Sequence, residues 1–353
     1  MNIDATKTHL ALEHKHDRPL VACRYDPAGR YVFFGAEDNL VHRFDLKTKA
    51  VSPLAAHDSW VRALGSSPSG DVLYSGGYDG RLVWWPAADD KPKPIRVVEA
   101  HQGWLRALAV SPDASRVATC GNDNLVKLWD SSDGQLVTQF AGHTSHAYNV
   151  AFHPSGESLV SCDLKGVLKE WDLSSGALKR DLAPAAALYK YDTSFRADIG
   201  GARGIAFRTD GKQLAASGIT NVTNAFAGIG NALIVLIDMD SGKVTLQLET
   251  KEKVNGTAWG VAWHPGMAVD LGASRVAGGE QSSTPVSFWI GLAGGGGGGW
   301  LYFWKGDVAT EFFKLKLASD GRDLALSPDK TQVAVAHADK TLRLYALHEK
   351  PTS

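Results

Sequence analysis

Residues 101–140 read HQGWLRALAVSPDASRVATCGNDNLVKLWDSSDGQLVTQF. Ala107 to Val110 is a short apolar run ended by Ser111-Pro112-Asp113-Ala114. Arg116 to Cys120 is a second run, ended by Gly121-Asn122-Asp123-Asn124. Leu125 to Trp129 alternates as a third, and Leu136 to Phe140 follows Ser132-Asp133-Gly134 as a fourth. Brief β-rich runs punctuated by Pro, Gly, Asn and Asp predict a four-stranded antiparallel meander.

The unit recurs in strict register. His16 and Phe44, His57 and Trp85, His101 and Trp129, and His143 and Trp171 are each 28 residues apart. Six residues before the aromatic stands Asp38, Asp79 or Asp123, with Lys165 as the exception. The first turn continues as Asp26-Pro27, Ser67-Pro68, Ser111-Pro112, His153-Pro154, Arg208-Thr209, His264-Pro265 and Ser327-Pro328. The third strand recurs as VHRF, LVWW, VKLW, LKEW, IVLI, LYFW and LRLY, ending at Phe44, Trp85, Trp129, Trp171, Ile237, Trp304 and Tyr345. Their spacings are 41, 44, 42, 66, 67 and 41 residues, so seven units are present and two carry insertions. A period near 40 means a repeat architecture.

These units resemble the tryptophan–aspartate (WD) repeat β-propeller family over nearly the whole chain. Its dipeptide stands at Trp129-Asp130 and Trp171-Asp172, and its Gly-His signature at Gly142-His143. The resemblance implies an all-β, seven-bladed propeller of four-stranded antiparallel blades. It also implies a structural network of His, Ser/Thr, Asp and Trp, which maps to His57, Ser75, Asp79 and Trp85 and to His101, Thr119, Asp123 and Trp129. The fourth unit keeps His143, Ser161 and Trp171 but has Lys165 at the Asp position, and the last three lack most of the network. Their blades are expected to rely more on apolar packing.

The chain ends soon after a third strand, Leu342 to Leu347, and begins with Lys7 to Leu12 where a fourth strand should precede His16. The N-terminal strand is therefore expected to complete the last blade and close the ring. This predicts one domain over 1–353, with approximate blades 14–54, 55–98, 99–140, 141–182, 198–248, 254–315 and 316–347 plus an N-terminal strand at 6–12. Such a chain leaves no room for a fused catalytic module.

The 353 residues are 44% hydrophobic and 21% charged, with 37 Lys+Arg against 38 Asp+Glu. A net charge of −1 gives no global pull toward nucleic acid or anionic membrane. No run of about 18 apolar residues occurs, so no transmembrane helix is expected. The N-terminus lacks a secretory signal, and Cys23, Cys120 and Cys162 fall at equivalent strand-like positions of different repeats. An odd, low count points to buried, reduced thiols in a cytoplasmic setting.

Insertions indicate where binding occurs in a repeat protein. Asn221 to Asn231 lies between the second and third strands of the fifth blade, and Gln281 to Gly299 is read into the same connection of the sixth. Pro184 to Gly201 joins the fourth blade's outer strand to the fifth blade's inner strand. All three are expected on one face, the top. Gly294 to Gly299 reads as a flexible surface linker and not a phosphate loop, since Trp300-Leu301-Tyr302 follows instead of Lys-Ser/Thr and a helix.

Alignment of the inner strands exposes a second signal. Five residues after the register His stand Val21, Arg62, Arg106 and Tyr148, and the apolar runs of the other blades add Arg203, Trp259 and Arg322. Trp60, Trp104 and His146 lie two residues earlier, toward the rim. Structurally, each Arg could pair with a nearby Asp or carbonyl and each Trp could cover a neighbouring blade. Functionally, the set predicts an Arg- and aromatic-lined site for an acidic side chain, carboxylate or phosphate.

Catalysis has little support: there is no HExxH, paired CxxC or GxSxG, and His57, His101 and His143 are assigned to blade structure. His14 with His16 is a superficial metal pair, with no Cys or carboxylate cluster accompanying it. No cofactor or metal is expected. The leading expectation is a non-enzymatic scaffold for a protein or peptide partner, with a possible anionic ligand and no nucleic acid or membrane. The alternative is a small-molecule or enzymatic propeller with a capped central pocket.

Overall fold

The computed structural model describes residues 3–224, 229–266, 286–296 and 298–350. Seven four-stranded antiparallel sheets succeed one another, and among the described residues no α-helix occurs. Blade 1 comprises Leu20–Tyr25, Tyr31–Ala36, Val41–Asp45 and Val51–Leu54; blade 2, Val61–Ser66, Val72–Gly77, Arg81–Pro86 and Arg96–Glu99. Blade 3 comprises Leu105–Val110, Arg116–Gly121, Val126–Asp130 and Leu136–Phe140; blade 4, Ala147–Phe152, Ser158–Asp163, Leu168–Asp172 and Ala177–Asp181. Blade 5 comprises Gly204–Phe207, Gln213–Asn224, Ile229–Asp238 and Lys243–Leu248; blade 6, Thr257–His264, Phe288–Gly294, Trp300–Lys305 and Phe313–Lys316. Blade 7 takes Gly321–Leu326, Gln332–His337 and Thr341–Ala346 and receives His9–Lys15 as its outer strand.

That N-terminal strand closes the ring. His9 pairs with Ala346 and Lys15 with Thr341, and Arg343 donates to Glu13 across the seam at 2.7 Å. The pairing strand is His9–Lys15, so the 6–12 estimate was early by three residues; Ala5–Lys7 forms a 3-10 turn capped by Asp4. Innermost strands pack side by side around the ring, with Gly321–Leu326 against Leu20–Tyr25. Alternation along the strands sends apolar residues into seven clusters, each shared by two neighbouring blades. Trp85 packs with Phe33 and Leu73 between blades 1 and 2, and Trp171 with Phe140 and Val126 between blades 3 and 4. Each such side chain, fully buried, contributes roughly 1.5–3 kcal/mol.

The third-strand register holds in all seven blades. Phe44, Trp85, Trp129, Trp171, Ile237, Trp304 and Tyr345 face Val32, Leu73, Val117, Leu159, Leu214, Trp289 and Val333. In blade 3, His101 Nδ1 lies 2.8 Å from Asp123 and Nε2 lies 2.8 Å from Thr119 Oγ1, which also accepts from Trp129 Nε1 at 2.8 Å. A carboxylate only accepts, so Nδ1 carries the proton and Nε2 takes the Thr119 hydroxyl hydrogen. Blade 2 repeats this with His57, Ser75, Asp79 and Trp85. In blade 4 the carboxylate is not lost to Lys165: Asp163, two residues earlier and fully buried, lies 3.2 Å from His143 Nδ1.

Two insertions behave as expected and one does not. In blade 5 the second and third strands simply extend, with Gly218 facing Leu233 and Thr220 facing Asn231. Between blades 4 and 5, Tyr189–Asp192 and Ala197–Gly200 form a separate hairpin on the same face. In blade 6, however, the second strand is Phe288–Gly294, and its pairing sets His264 opposite Phe288. The extra length therefore joins the first and second strands and leaves and re-enters on the opposite face. Of the assigned insertion, 281–285 and 297 lie outside the described residues. Gly294 closes the second strand, and Gly298 and Gly299 lead into the third at Trp300. A Cβ on Gly299 would sit 2.0 Å from the Ser319 carbonyl, and one on Gly294 would sit 2.8 Å from that of Gly321. Glycine is needed there for close packing on blade 7, which replaces the linker reading. Cys120 and Cys162 occupy equivalent second strands, whereas Cys23 lies on a first strand; all three are buried free thiols.

Candidate interaction site on the top face

The face bearing the connections between second and third strands is the top, where each inner strand begins. The pairing of six of the seven inner strands there contains an irregularity: the register shifts between Leu20 and Ala22, Val61 and Ala63, Leu105 and Ala107, Ala147 and Asn149, Ala258 and Gly260, and Gly321 and Asp323. The skipped residues are Val21, Arg62, Arg106, Tyr148, Trp259 and Arg322. Arg203, just before Gly204, donates its backbone N–H to Ser217 instead. Six of the seven ring positions read from sequence are thus bulge residues, and a bulge re-aims the side chain of its extra residue. The spacing predicted the ring, while the bulges that turn its side chains were not foreseen.

These side chains do not all meet. Arg62, Arg106 and Arg203 line a central-channel cavity of about 90 Å³ together with Arg24, Asn149 and Asp323. Asp323 is the one carboxylate among those lining residues, against four guanidiniums. Its Oδ2 accepts the Cys23 backbone N–H at 3.0 Å and lies 3.8 Å from Arg62. Arg322 turns away to pair with Glu37 at 2.6 Å, so the expected convergence of four arginines reduces to three. Val21 is buried.

Arg24 was missed. It stands three residues beyond Val21, where the other blades carry Gly65, Ala109, Ala151, Ala206, Ala262 and Ala325. A lone arginine in a column of small residues was the available signal. Its Nε donates to the Leu64 carbonyl at 3.2 Å.

Further out, aromatic rings and guanidiniums alternate in an arc from blade 2 to blade 6. Trp60 stacks near Tyr78 at 6.3 Å, and Tyr78 lies parallel to Trp104 at 4.2 Å and 7°. Arg106 lies over Trp104 at 4.4 Å and over Tyr148 at 4.5 Å, while its Nε donates to Asn122 at 2.7 Å. Arg203 covers the same Tyr148 at 4.8 Å and Trp259 at 5.7 Å. Among the described residues neither Arg106 nor Arg203 has a carboxylate within ion-pair distance, and Arg203 Nε is buried without a hydrogen-bond partner. Trp60 and Trp104 remain 40% and 42% exposed, enough to offer a ring face to a partner. Trp259 donates its Nε1 hydrogen to the Gly294 carbonyl. Burial, with Arg106 nearby, pulls His146 below its ordinary range, so it adds no charge at neutral pH.

Comparison with protein families finds three successive matches to the description "WD domain, G-beta repeat", at residues 48–86, 92–130 and 134–172. Each match begins near an outer strand and ends on the next blade's third strand, and each contains one complete His, Ser/Thr, Asp and Trp network. Seven closed blades carry the same plan around the ring. The chain is a WD-repeat β-propeller. No curated protein matches it. WD-repeat propellers are typically non-enzymatic protein-interaction scaffolds, and no helix among this propeller's described residues is long and apolar enough to cross a membrane.

Two other features of the WD-repeat propeller bear on its site. A groove of about 620 Å³ runs between blades 1 and 7 on the opposite face, beside Pro27, Lys49 and Pro328, but it gathers no set of convergent charges. At the seam on the top face, His16 does have a carboxylate beside it, contrary to expectation. Asp38 Oδ2 lies 3.1 Å from His16 Nε2 and 2.9 Å from His42 Nε2. His14 is not part of this group.

Proposed function

We propose that the top face is a non-catalytic docking surface for a protein or peptide segment bearing an acidic group. One observation carries the reading: Arg106 and Arg203 flank Tyr148 at the channel mouth with no carboxylate partner among the described residues. A guanidinium over an aromatic ring face is held by its charge without using its N–H donors, which suit a carboxylate or phosphate. Trp60 and Trp104 provide the adjoining apolar contact, and Trp, Tyr and Arg are the residues enriched at interaction hot spots. The cavity volume favours docking over the small-molecule alternative. At about 90 Å³ it admits one acidic side chain, well short of the roughly 300 Å³ at which small-molecule pockets begin. The three buried thiols fit a reducing compartment such as the cytoplasm.

Panning a displayed peptide library against the purified protein tests this. Recovered sequences should share an Asp, Glu or phosphorylated position beside apolar residues. Arg106→Ala and Arg203→Ala should each weaken their binding by roughly thirty-fold, the equivalent of a 2 kcal/mol hot spot. Arg322→Ala, whose charge is already held by Glu37, should change binding less than about three-fold. Recovered peptides without acidic positions, or equal losses for all three variants, would refute the reading.

A further inference from the structure

The seam cluster is independent of the docking arc and departs from the blade network in a specific way. Blades 2, 3 and 4 place Ser75, Thr119 and Ser161 where the histidine Nε2 finds a hydroxyl. Blade 1 has Phe34 at that position and Phe44 in place of the tryptophan, so hydroxyl and indole are both gone. His16 instead turns Nε2 onto Asp38, and His42 enters from the third strand, where blade 2 has Val83. Two imidazole nitrogens now converge on one carboxylate oxygen, and all three atoms lie within 4.8 Å of one another.

The arrangement is held firmly. His42 is buried and stacks on Phe34 at 4.9 Å and 18°, and His16 meets the edge of the same ring at 5.4 Å. Asp38 Oδ1 accepts the Leu40 backbone N–H at 3.1 Å, which leaves Oδ2 for the histidines. Four-coordinate zinc binds imidazole nitrogen and carboxylate oxygen at about 2.0–2.2 Å, which sets neighbouring ligand atoms about 3.3 Å apart. The observed separations of 3.1 and 2.9 Å need only a small expansion to admit an ion. The side chains of His16 and Asp38 are 13% and 22% exposed, so the ion has an entry path and water can take the remaining position.

We propose that His16, Asp38 and His42 form a binding site for a divalent first-row transition ion, with Zn2+ the best match to an N2O donor set. His16 follows the strand that completes blade 7, while Asp38 and His42 belong to blade 1. A bound ion therefore ties the two sides of the ring closure together.

The test uses untagged full-length protein stripped with chelator and titrated with Co2+ and then Zn2+. Co2+ should bind with one saturable equivalent and give visible d–d absorption, Zn2+ should displace it, and the melting temperature should rise by a few degrees. His42→Gln and Asp38→Asn should weaken Co2+ binding at least ten-fold, while His14→Gln should leave it intact. Substitutions in blade 1 can loosen the fold, so the unmutated protein provides a second readout. Zn2+ should protect His16 and His42, and not His14, from modification by diethyl pyrocarbonate as mapped by mass spectrometry. Absence of saturable binding, retention in both His42→Gln and Asp38→Asn, or protection confined to other histidines would overturn the assignment.

Discussion

Blades 2, 3 and 4 and blades 5, 6 and 7 enclose the same third-strand position by different chemistry. In the first group the indole of Trp85, Trp129 or Trp171 donates to a hydroxyl two residues along the adjacent strand, which also engages a buried histidine. In the second group that hydroxyl position holds Ala216, Gly291 or Val335. Ile237 needs no polar partner, and Trp304 reaches the Glu249 carbonyl at 2.9 Å. Tyr345 lies 3.3 Å from a ring nitrogen of His337. Most buried N–H groups find an acceptor. The register tryptophans of blades 2, 3 and 4 find it within the repeat and Trp304 finds it in a nearby backbone carbonyl, although Trp289 Nε1 of blade 6 has none among the described residues. The repeat motif is thus one way of meeting a general requirement, and losing it leaves the blade geometry intact.

Trp171→Ala should break the comparison most severely. It removes a ring buried between blades 3 and 4 and leaves Ser161 without its donor, so chemical denaturation should show a loss of about 3–5 kcal/mol. Ile237→Val, at the same position of blade 5, should cost only about 0.5–1.5 kcal/mol. Equal losses would mean that the Trp171 ring is not the tightly packed element of its blade that its burial indicates. Thr119→Val comes next. Nearly isosteric, it strands both His101 Nε2 and Trp129 Nε1 in the interior, and about 2–4 kcal/mol should be lost. The reverse change, Ala216→Ser, introduces a buried hydroxyl with no histidine or indole to meet it and should cost about 1 kcal/mol. A stabilising Ala216→Ser would show that blade 5 can use the hydroxyl after all.

The smallest effect is the pH dependence. Burial keeps His101 below its ordinary value of 6.5 despite the neighbouring carboxylate. Burial opposes ionisation of Asp123, but the His101 bond and charge and the Leu125 N–H outweigh it and hold the carboxyl at about 2, below its ordinary 3.8. Both groups bind protons more tightly in the unfolded chain. Their stabilisation is therefore complete at neutral pH. It declines as pH falls below about 6.5 for His101, and below about 3.8 toward 2 for Asp123. In blade 7, burial with Arg343 nearby holds His337 at about 4, so acid should weaken that blade in the same direction. Melting followed from pH 8 to pH 3 should fall steadily, with Asp123→Asn flattening only the most acidic part.

The aromatic register was legible because it marks the residue most tightly enclosed in each blade, where burial restricts the choice of side chain. Its phase gave the blade count, the third-strand pairing and the closing strand. Blade 6 was misread because Gly294 to Gly299 has the composition of a linker, and composition does not reveal that a neighbouring carbonyl stands 2.0 Å from where a Cβ would be. Asp163 escaped because the carboxylate moved two residues along the chain while keeping its place beside His143. At the top face, spacing identified which residues share a ring. The pairing partners Asp323 and Glu37, distant in sequence from Arg62 and Arg322, decided which charges remain available. Such long-range pairs leave no local pattern.

The seam that joins His9–Lys15 to Thr341–Ala346 also imposes an order in time. Six blades are assembled from neighbouring segments, but the seventh pairs residues separated by more than 300 positions. At roughly 5–20 residues per second of synthesis, the N-terminal strand waits on the order of half a minute for its partner. Through that interval the inner strands of blades 2 to 6 can already stand side by side, so the aromatic arc can form before the ring does. Glu37, by contrast, has no Arg322 to hold until the end. Completion of the circle is then the event that neutralises one side of the channel mouth and leaves Arg106 and Arg203 without a carboxylate partner among the described residues.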